Sequence, residues 1–400
     1  MADVVIVGGG QAAASAVARL RAKGFDGSIT LIGDEPVPPY QRPPLSKAYL
    51  LGDMALDRLF LRPEAFYRDN AVHLMLGEPV TAIDTDARTV SVGDEAIPYG
   101  DLILCTGSAP RRLPARIGGE LDGVHVVRTL ADVDAMAPRF AEGARVLIVG
   151  GGYIGLEAAA VAATLGLDVT LVEAADRILS RVAAPETADW FRALHETHGV
   201  TILEGTGLDR LTGDGHVSGA VLSDGREIAV DFVVVGVGIA PCTTLAEAAG
   251  LRIDNGIAVD AHGRTSDPHV WAAGDCASFP GAGGAMRLES VGNAIDMGEL
   301  VADNLMGAER DYAAAPWFWS DQYDVKLQIA GLSAGYDRVV VRDGAGRSHW
   351  YYAGDSLLAI DAMNDSRAYM VGKRLIEAGK APDPAAIADP ETDLKALLKA

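Results

Sequence analysis

Cysteine is scarce in this 400-residue chain: Cys105, Cys242 and Cys276 are the whole complement, and none stands in a C-x-x-C pair. An odd count without paired spacing argues against a disulfide framework and against a cysteine-built zinc site, so no metal site is expected. Positive charge is also short. Lys and Arg total 34 against 55 Asp and Glu, a net charge of −21. That balance excludes broad, salt-driven binding to nucleic acid. Aromatic residues make up 6%. Long apolar runs are missing too, and Glu157 interrupts the most hydrophobic stretch. No membrane span is therefore expected. The chain opens on Val4-Val5-Ile6-Val7 with no basic and apolar leader, so the expectation is a cytoplasmic protein.

What the chain does have is a repeat. Residues 4–13 read VVIVGGGQAA and residues 146–155 read VLIVGGGYIG. Each is a β-branched run, then three glycines, then a helical stretch, near Gln11–Lys23 and Ile154–Leu165. A second apolar strand follows each time and ends in an acid, Asp34 or Glu173. Hairpins are expected at 89–97 and 217–228, each followed by a buried strand, 102–105 and 232–235. Alternating strands and helices with continuously apolar strands predict an α/β fold with parallel sheets covered on both faces.

The glycines carry a mechanism. In Gly8-x-Gly10-x-x-Ala13 and Gly150-x-Gly152-x-x-Gly155, the first position makes the tight turn. The second lets backbone approach a pyrophosphate, and the third allows close helix–strand packing. The helix start then offers free N–H groups and the positive end of its dipole. An acid ending the second strand can hold a ribose hydroxyl. Two such motifs in one chain imply two dinucleotides, economically a flavin and a nicotinamide. Glu173, followed by two alanines, favours the free 2′-hydroxyl of NADH over the phosphate of NADPH. A strand ending in Gly274-Asp275 offers a further carboxylate for a ribityl hydroxyl.

Beyond Tyr312 the texture changes. Trp317-Phe318-Trp319 is the densest aromatic cluster. Short strands follow at 326–329, 338–342, 349–352 and 357–360, closed by a helix near Ser366–Ala378, which predicts a small α+β domain.

The chain resembles the two-dinucleotide-binding-domain flavoproteins, in the putidaredoxin-reductase branch that includes rubredoxin reductases and dioxygenase ferredoxin-reductase components. The resemblance rests on Pro43-Pro44-Leu45-Ser46-Lys47, Thr106-Gly107, Gly150 to Glu157, Thr265 to Asp275, Glu289-Ser290-Val291 and Pro316 to Gln322. It implies two Rossmann-like domains of glutathione-reductase type and a C-terminal domain. The boundaries are 1–108 with 240–315 for FAD, 109–239 for NAD, and 316–400. It implies hydride transfer from NADH to FAD, then single electrons to an acidic [2Fe–2S] ferredoxin feeding a cytochrome P450 or ring-hydroxylating oxygenase. It also implies FAD contacts at Gly8, Gly10, Ala12, Asp34, Arg42, Lys47, Val80, Arg128, Asp275 and Val291. NAD contacts fall on Gly150, Gly152, Ile154, Gly155, Glu157, Glu173, Arg181 and Gly238. Glu289 is placed near the nicotinamide, Trp319 near the flavin ring, and Lys47 beside the flavin, paired with Glu157. The redox cysteine pair of the disulfide reductases is missing. An NADH oxidase, a quinone or rubredoxin reductase, and a slow redox-sensing protein remain the alternatives.

Charge is unevenly spread. Residues 325–380 hold eight basic and six acidic side chains. Arg338, Arg367, Lys373 and Arg374 are therefore candidates for a local docking face for an acidic partner.

Overall fold

The computed structural model describes residues 3–281 and 283–399. The chain divides into two compact units. The first comprises Met1–Arg42, Ala55–Ala109 and Ile239–Pro316, and the second Pro43–Met54, Pro110–Gly238 and Trp317–Ala400.

The first unit is built on a five-stranded parallel sheet. Its order is Val270–Ala272, Asp101–Leu104, Val4–Val7, Ile29–Gly33, Val72–Leu76. Every residue of Val4–Val7 is buried, as a strand covered on both faces requires. The helix Gln11–Ala22 packs on this sheet through its alanines and against the helix Val291–Leu305. The two helices approach so closely that a Cβ on Gly298 would lie 2.4 Å from the Ala12 carbonyl oxygen. A three-stranded antiparallel sheet, Val80–Asp84, Thr89–Val92 and Glu95–Pro98, contains the expected hairpin and one strand more.

The second unit repeats the pattern. Its parallel sheet runs Thr201–Leu203, Asp168–Val172, Arg145–Val149, Phe232–Val235, Val124–Val126. The helix Tyr153–Thr164 follows the glycine loop. Leu208–Asp214, His216–Leu222 and Glu227–Ala229 form the antiparallel excursion. The two expected helices thus stand within a residue of their sequence positions, and the duplication is real.

Residues 317–399 add a five-stranded antiparallel sheet, ordered Trp317–Gln322, Val325–Gly331, Ser356–Met363, Arg347–Ala353, Arg338–Asp343. The aromatic cluster is itself an edge strand of this sheet. The helix Ser366–Glu377 covers the sheet, capped by Asp365, whose carboxylate accepts from the Ala368 N–H at 2.9 Å. The sequence joins 43–54 to the flavin domain. In the structure that segment packs within the second unit, because Ser46 and Lys47 bond to Glu157 there.

Polar side chains also tie this C-terminal sheet to the helix Pro185–Thr197. Thr187 donates to Asp361 at 2.8 Å and contacts His349 Nδ1 at 2.7 Å, and the Tyr351 hydroxyl donates to Asp361. All four are buried. Burial pushes the Asp361 carboxyl up to about 6 and the His349 imidazole down to about 4.

Candidate functional site

Each glycine loop shows which positions the fold itself requires. Gly8 has φ +114°, and a Cβ there would sit 2.2 Å from the Cys105 carbonyl oxygen. Gly150 repeats this, with φ +109° and the Gly236 oxygen at 2.5 Å. A Cβ on Gly155 would meet the Gly150 oxygen at 2.0 Å. These positions are fixed by backbone conformation and crowding.

Gly10 and Gly152 differ. A Cβ at either would meet nothing within 4 Å. Each caps the N-terminus of a helix with no acidic residue in its first turn. No packing within the chain demands glycine there. Together these features leave backbone N–H groups and the helix dipole available to an anion, as a bound pyrophosphate needs. Both loops therefore fit the phosphates of a dinucleotide.

The acids after the second strands behave differently. Asp34 is exposed just beyond Ile29–Gly33. The Glu173 carboxylate accepts from the Gly151 N–H and the Ala175 N–H, each at 2.7 Å, so it is already tied to the glycine loop. Ile154 is 42% exposed, unusual for so apolar a residue. Arg181 reaches toward Gly238, where a Cβ would lie 3.7 Å from its guanidinium nitrogen.

In the first unit, Arg42 pairs with Glu35 at 2.7 Å and meets the Tyr40 hydroxyl at 3.1 Å. Asp275 accepts from the Ser108 hydroxyl at 2.8 Å, and its carbonyl accepts from Arg287 at 3.2 Å. Arg287 also pairs with Glu289 at 2.5 Å. Val80 opens its strand, half-buried. Val291 begins a helix capped by Ser290, which accepts from the Asn293 N–H at 3.1 Å. Ala12 is buried in the helix crossing described above.

Lys47 and Arg128, both assigned to the flavin from sequence, belong to the second unit. Arg128 is half-buried just before the helix Leu130–Met136. Lys47 belongs to a polar cluster centred on the buried Glu157 carboxylate. Its Nζ lies 2.6 Å from Glu157 Oε2, and the Ser46 hydroxyl donates to the same oxygen at 2.6 Å. The Ser320 hydroxyl donates to Glu157 Oε1 at 2.7 Å. Glu157 is 2% exposed, so three donors offset the cost of burying its charge. Trp319 stacks on Trp317 with ring centroids 5.5 Å apart, and Phe318 lies 5.0 Å from Tyr153.

Sequence reasoning assigned no role to Ser46, Ser320, Gln322, His195, Arg287 or Glu35. Ser46, Ser320 and Gln322 lie inside segments that carried the resemblance, so a signal existed there. His195, on an amphipathic helix, gave none.

Two duplicated dinucleotide folds with open phosphate loops, carrying an additional antiparallel domain, define a class of nucleotide-dependent oxidoreductase. The chain belongs to the pyridine nucleotide-disulphide oxidoreductase family, which it matches over residues 2–298, and residues 317–398 match the reductase C-terminal domain. It is 44% identical to a ferredoxin–NAD(P)+ reductase of Sphingomonas sp, over 98% of this chain and 97% of that one. It is 43% identical to rhodocoxin reductase of Rhodococcus erythropolis, over 98% and 93%. Its fold matches putidaredoxin reductase, solved in covalent complex with putidaredoxin, with a TM-score of 0.96 and 38% identity, covering 100% of this chain and 98% of that one. The family uses FAD and a nicotinamide dinucleotide. Among the described residues, no helix is long and apolar enough to cross a membrane.

Proposed function

We propose that this chain is an NADH-dependent ferredoxin reductase that serves a cytochrome P450 or a ring-hydroxylating oxygenase. One observation carries the reading: two glycine loops of the same design, each leaving its central glycine open, stand in a chain that matches ferredoxin reductases along nearly its full length. Bound FAD supplies the conversion of a two-electron hydride donor into a source of single electrons. The chain's residues do the rest.

Gly8, Gly10 and the helix Gln11–Ala22 would hold the flavin's pyrophosphate, with Ala12, Asp34, Arg42, Val80, Arg128, Asp275 and Val291 as its other contacts. Gly150, Gly152, Ile154 and Gly155 hold that of NADH, with Arg181 and Gly238 nearby. The Glu173 carboxylate, pinned by two backbone N–H groups, accepts from the ribose hydroxyls and disfavours a 2′-phosphate in their place. Glu157 holds Lys47 in place, and Lys47 would present a fixed cation to bound FAD that favours negative charge there. Arg287 holds Glu289; Glu289 would stand by the nicotinamide and Trp319 by the flavin ring. NADH and the reduced ferredoxins it feeds suit a cytoplasmic setting.

The partner is an acidic [2Fe–2S] protein. Arg367 and Arg374 are exposed one heptad apart on Ser366–Glu377, with Met370 (47% exposed) between them. Lys373, on the same helix, lies over the Trp317 ring at 5.7 Å. An apolar centre ringed by cations suits brief, steered contact with an acidic surface.

Stopped-flow bleaching of the flavin by NADH and by NADPH, followed by reduction of a purified [2Fe–2S] ferredoxin, tests the reading. Fast bleaching by NADH with ferredoxin preferred over oxygen and quinone supports it. A colourless protein, or one that passes electrons only to oxygen or quinone, overturns it.

A further inference from the structure

Behind the Lys47–Glu157 pair runs an unbroken row of side-chain hydrogen bonds. Ser320 donates to Glu157 Oε1 at 2.7 Å, and Gln322 Nε2 donates to Ser320 Oγ at 3.1 Å. His195 Nε2 meets Gln322 Oε1 at 2.8 Å, and the Tyr323 hydroxyl meets His195 Nδ1 at 3.0 Å. Ser320, Gln322 and His195 are fully buried.

The ion pair fixes every proton in this row. A carboxylate paired with Lys47 only accepts, so the single Ser320 proton points to Glu157. Ser320 must then accept from Gln322, which turns the amide nitrogen toward it and the amide oxygen toward His195. That oxygen requires N–H on Nε2, and Nδ1 is left to accept from Tyr323. Burial keeps the imidazole neutral, pushed down to about 4. Phenol, imidazole, amide and hydroxyl thus all donate in one direction, toward the Glu157 carboxylate.

We propose that Ser320, Gln322 and His195 are positioning residues: a one-way relay that locks the Glu157 carboxylate from behind and thereby sets how much of the Lys47 charge reaches the flavin. The row orients groups and does not conduct protons, because Gln322 would have to tautomerise its amide to pass one on. The proposal rests on the reading of Lys47 as the flavin's neighbour. Ser320 turns the positive end of its hydroxyl dipole to Glu157. Without it, the carboxylate draws more fully on Lys47, and added negative charge on the flavin is less favoured.

The test measures the flavin's midpoint potential against a reference dye in the holoenzyme. Ser320→Ala shifts the oxidised-to-reduced equilibrium about tenfold toward oxidised, roughly 30 mV for a two-electron couple. Gln322→Met, of similar volume, shifts it about threefold in the same direction, which is half of a tenfold step on the logarithmic scale. Ser320→Thr, which restores the hydroxyl, returns it to within about twofold. NADH affinity stays within about twofold in all three, since none is a nucleotide contact. Separately, ¹⁵N spectra of the wild-type imidazoles show His195 protonated on Nε2 alone. An unmoved potential in folded Ser320→Ala, opposite shifts in the two truncations, or a proton on Nδ1 overturns the relay. If Ser320→Ala does not fold, Gln322→Met and the tautomer decide. A wild type that NADH fails to bleach sinks the ferredoxin-reductase reading instead, while the tautomer still tests the relay.

Discussion

Removing either partner of the Lys47–Glu157 pair should have unequal consequences. At 2.6 Å and an effective dielectric near 20, the two charges attract by about 6 kcal/mol. Much of that is offset by the loss of hydration when both are buried. The imbalance lies in exposure: the lysine side chain is 16% exposed and the glutamate 2%. Lys47→Met strands a buried carboxylate with only the hydroxyls of Ser46 and Ser320. Breaking a buried pair in this way costs about 3–5 kcal/mol, and two surviving donors put the value near 3. Glu157→Gln strands a lysine that still bonds the Pro43 carbonyl at 3.0 Å and reaches water, so the cost is about 1 kcal/mol. For a body the size of the second unit, about 2–4 °C accompanies each kcal/mol. Thermal scans of the protein should therefore show Lys47→Met lower by about 6–12 °C and Glu157→Gln by about 2–4 °C. The double variant buries no charge, so it should melt above Lys47→Met alone. A double variant at or below Lys47→Met, or a Glu157→Gln more damaging than Lys47→Met, would refute the reasoning.

The glycine loops make a second contrast. Gly8→Ala should destabilise the fold by more than about 2 kcal/mol, because φ and the Cys105 carbonyl both forbid it. Gly10→Ala should cost under about 1 kcal/mol, since its Cβ would meet nothing within 4 Å, yet weaken FAD binding at least tenfold in equilibrium dialysis if that open space takes the phosphate as proposed. The stability of the protein should also fall in acid with a countable slope. His195 and His349 are pushed down to about 4, against about 6.5 when unfolded, so unfolding takes up protons at both as pH falls through that window. Asp361, pushed up to about 6 against about 3.9, releases one over much of the same range. These three groups leave a net uptake of about one proton near pH 5, or about 1.4 kcal/mol lost per unit of pH. Urea titrations from pH 4.5 to 6 should show that slope, and His349→Gln should flatten it; a slope of opposite sign defeats the assignment. Glu173→Ala should narrow the preference for NADH over NADPH in kcat/KM by at least about tenfold. Finally, charge reversal at Lys373 and Arg374 should slow ferredoxin reduction and weaken its dependence on salt, and unchanged rates at every ionic strength would remove the docking face.

The parts legible in the sequence are those in which chemistry is local. Gly8 to Ala13 and Gly150 to Gly155 declare strand, turn and helix within ten residues, because backbone conformation and phosphate access both act at that range. The apolar strands Val4–Val7 and Phe232–Val235 could be read because burial on both faces removes alternation. The strand Trp317–Gln322 was visible only as an aromatic cluster, since three large rings in a row mask a period of two. Leu208–Asp214 escaped altogether: its alternation is broken by a bulge and by polar residues on an exposed edge. The site was harder. Lys47 and Glu157 lie 110 positions apart, and only a family resemblance joined them. Thr187, Tyr351 and Asp361 meet across 174 positions, and no pattern in the chain announces a buried carboxylate. Arg42 was expected at the flavin, and the structure adds that Glu35 already neutralises it.

The edge strand Val270–Ala272 has a consequence for synthesis. It pairs with Asp101–Leu104, yet about 165 residues separate them, and the whole parallel sheet of the second unit is encoded in between. At about 5–20 residues per second, a ribosome would leave the first sheet with one flank bare for roughly 8–33 seconds, the interval in which its twin is itself made and completed first. The nascent first half is then the segment in need of a chaperone, and slowing translation after residue 104 should trap soluble intermediates less readily than slowing it after residue 272.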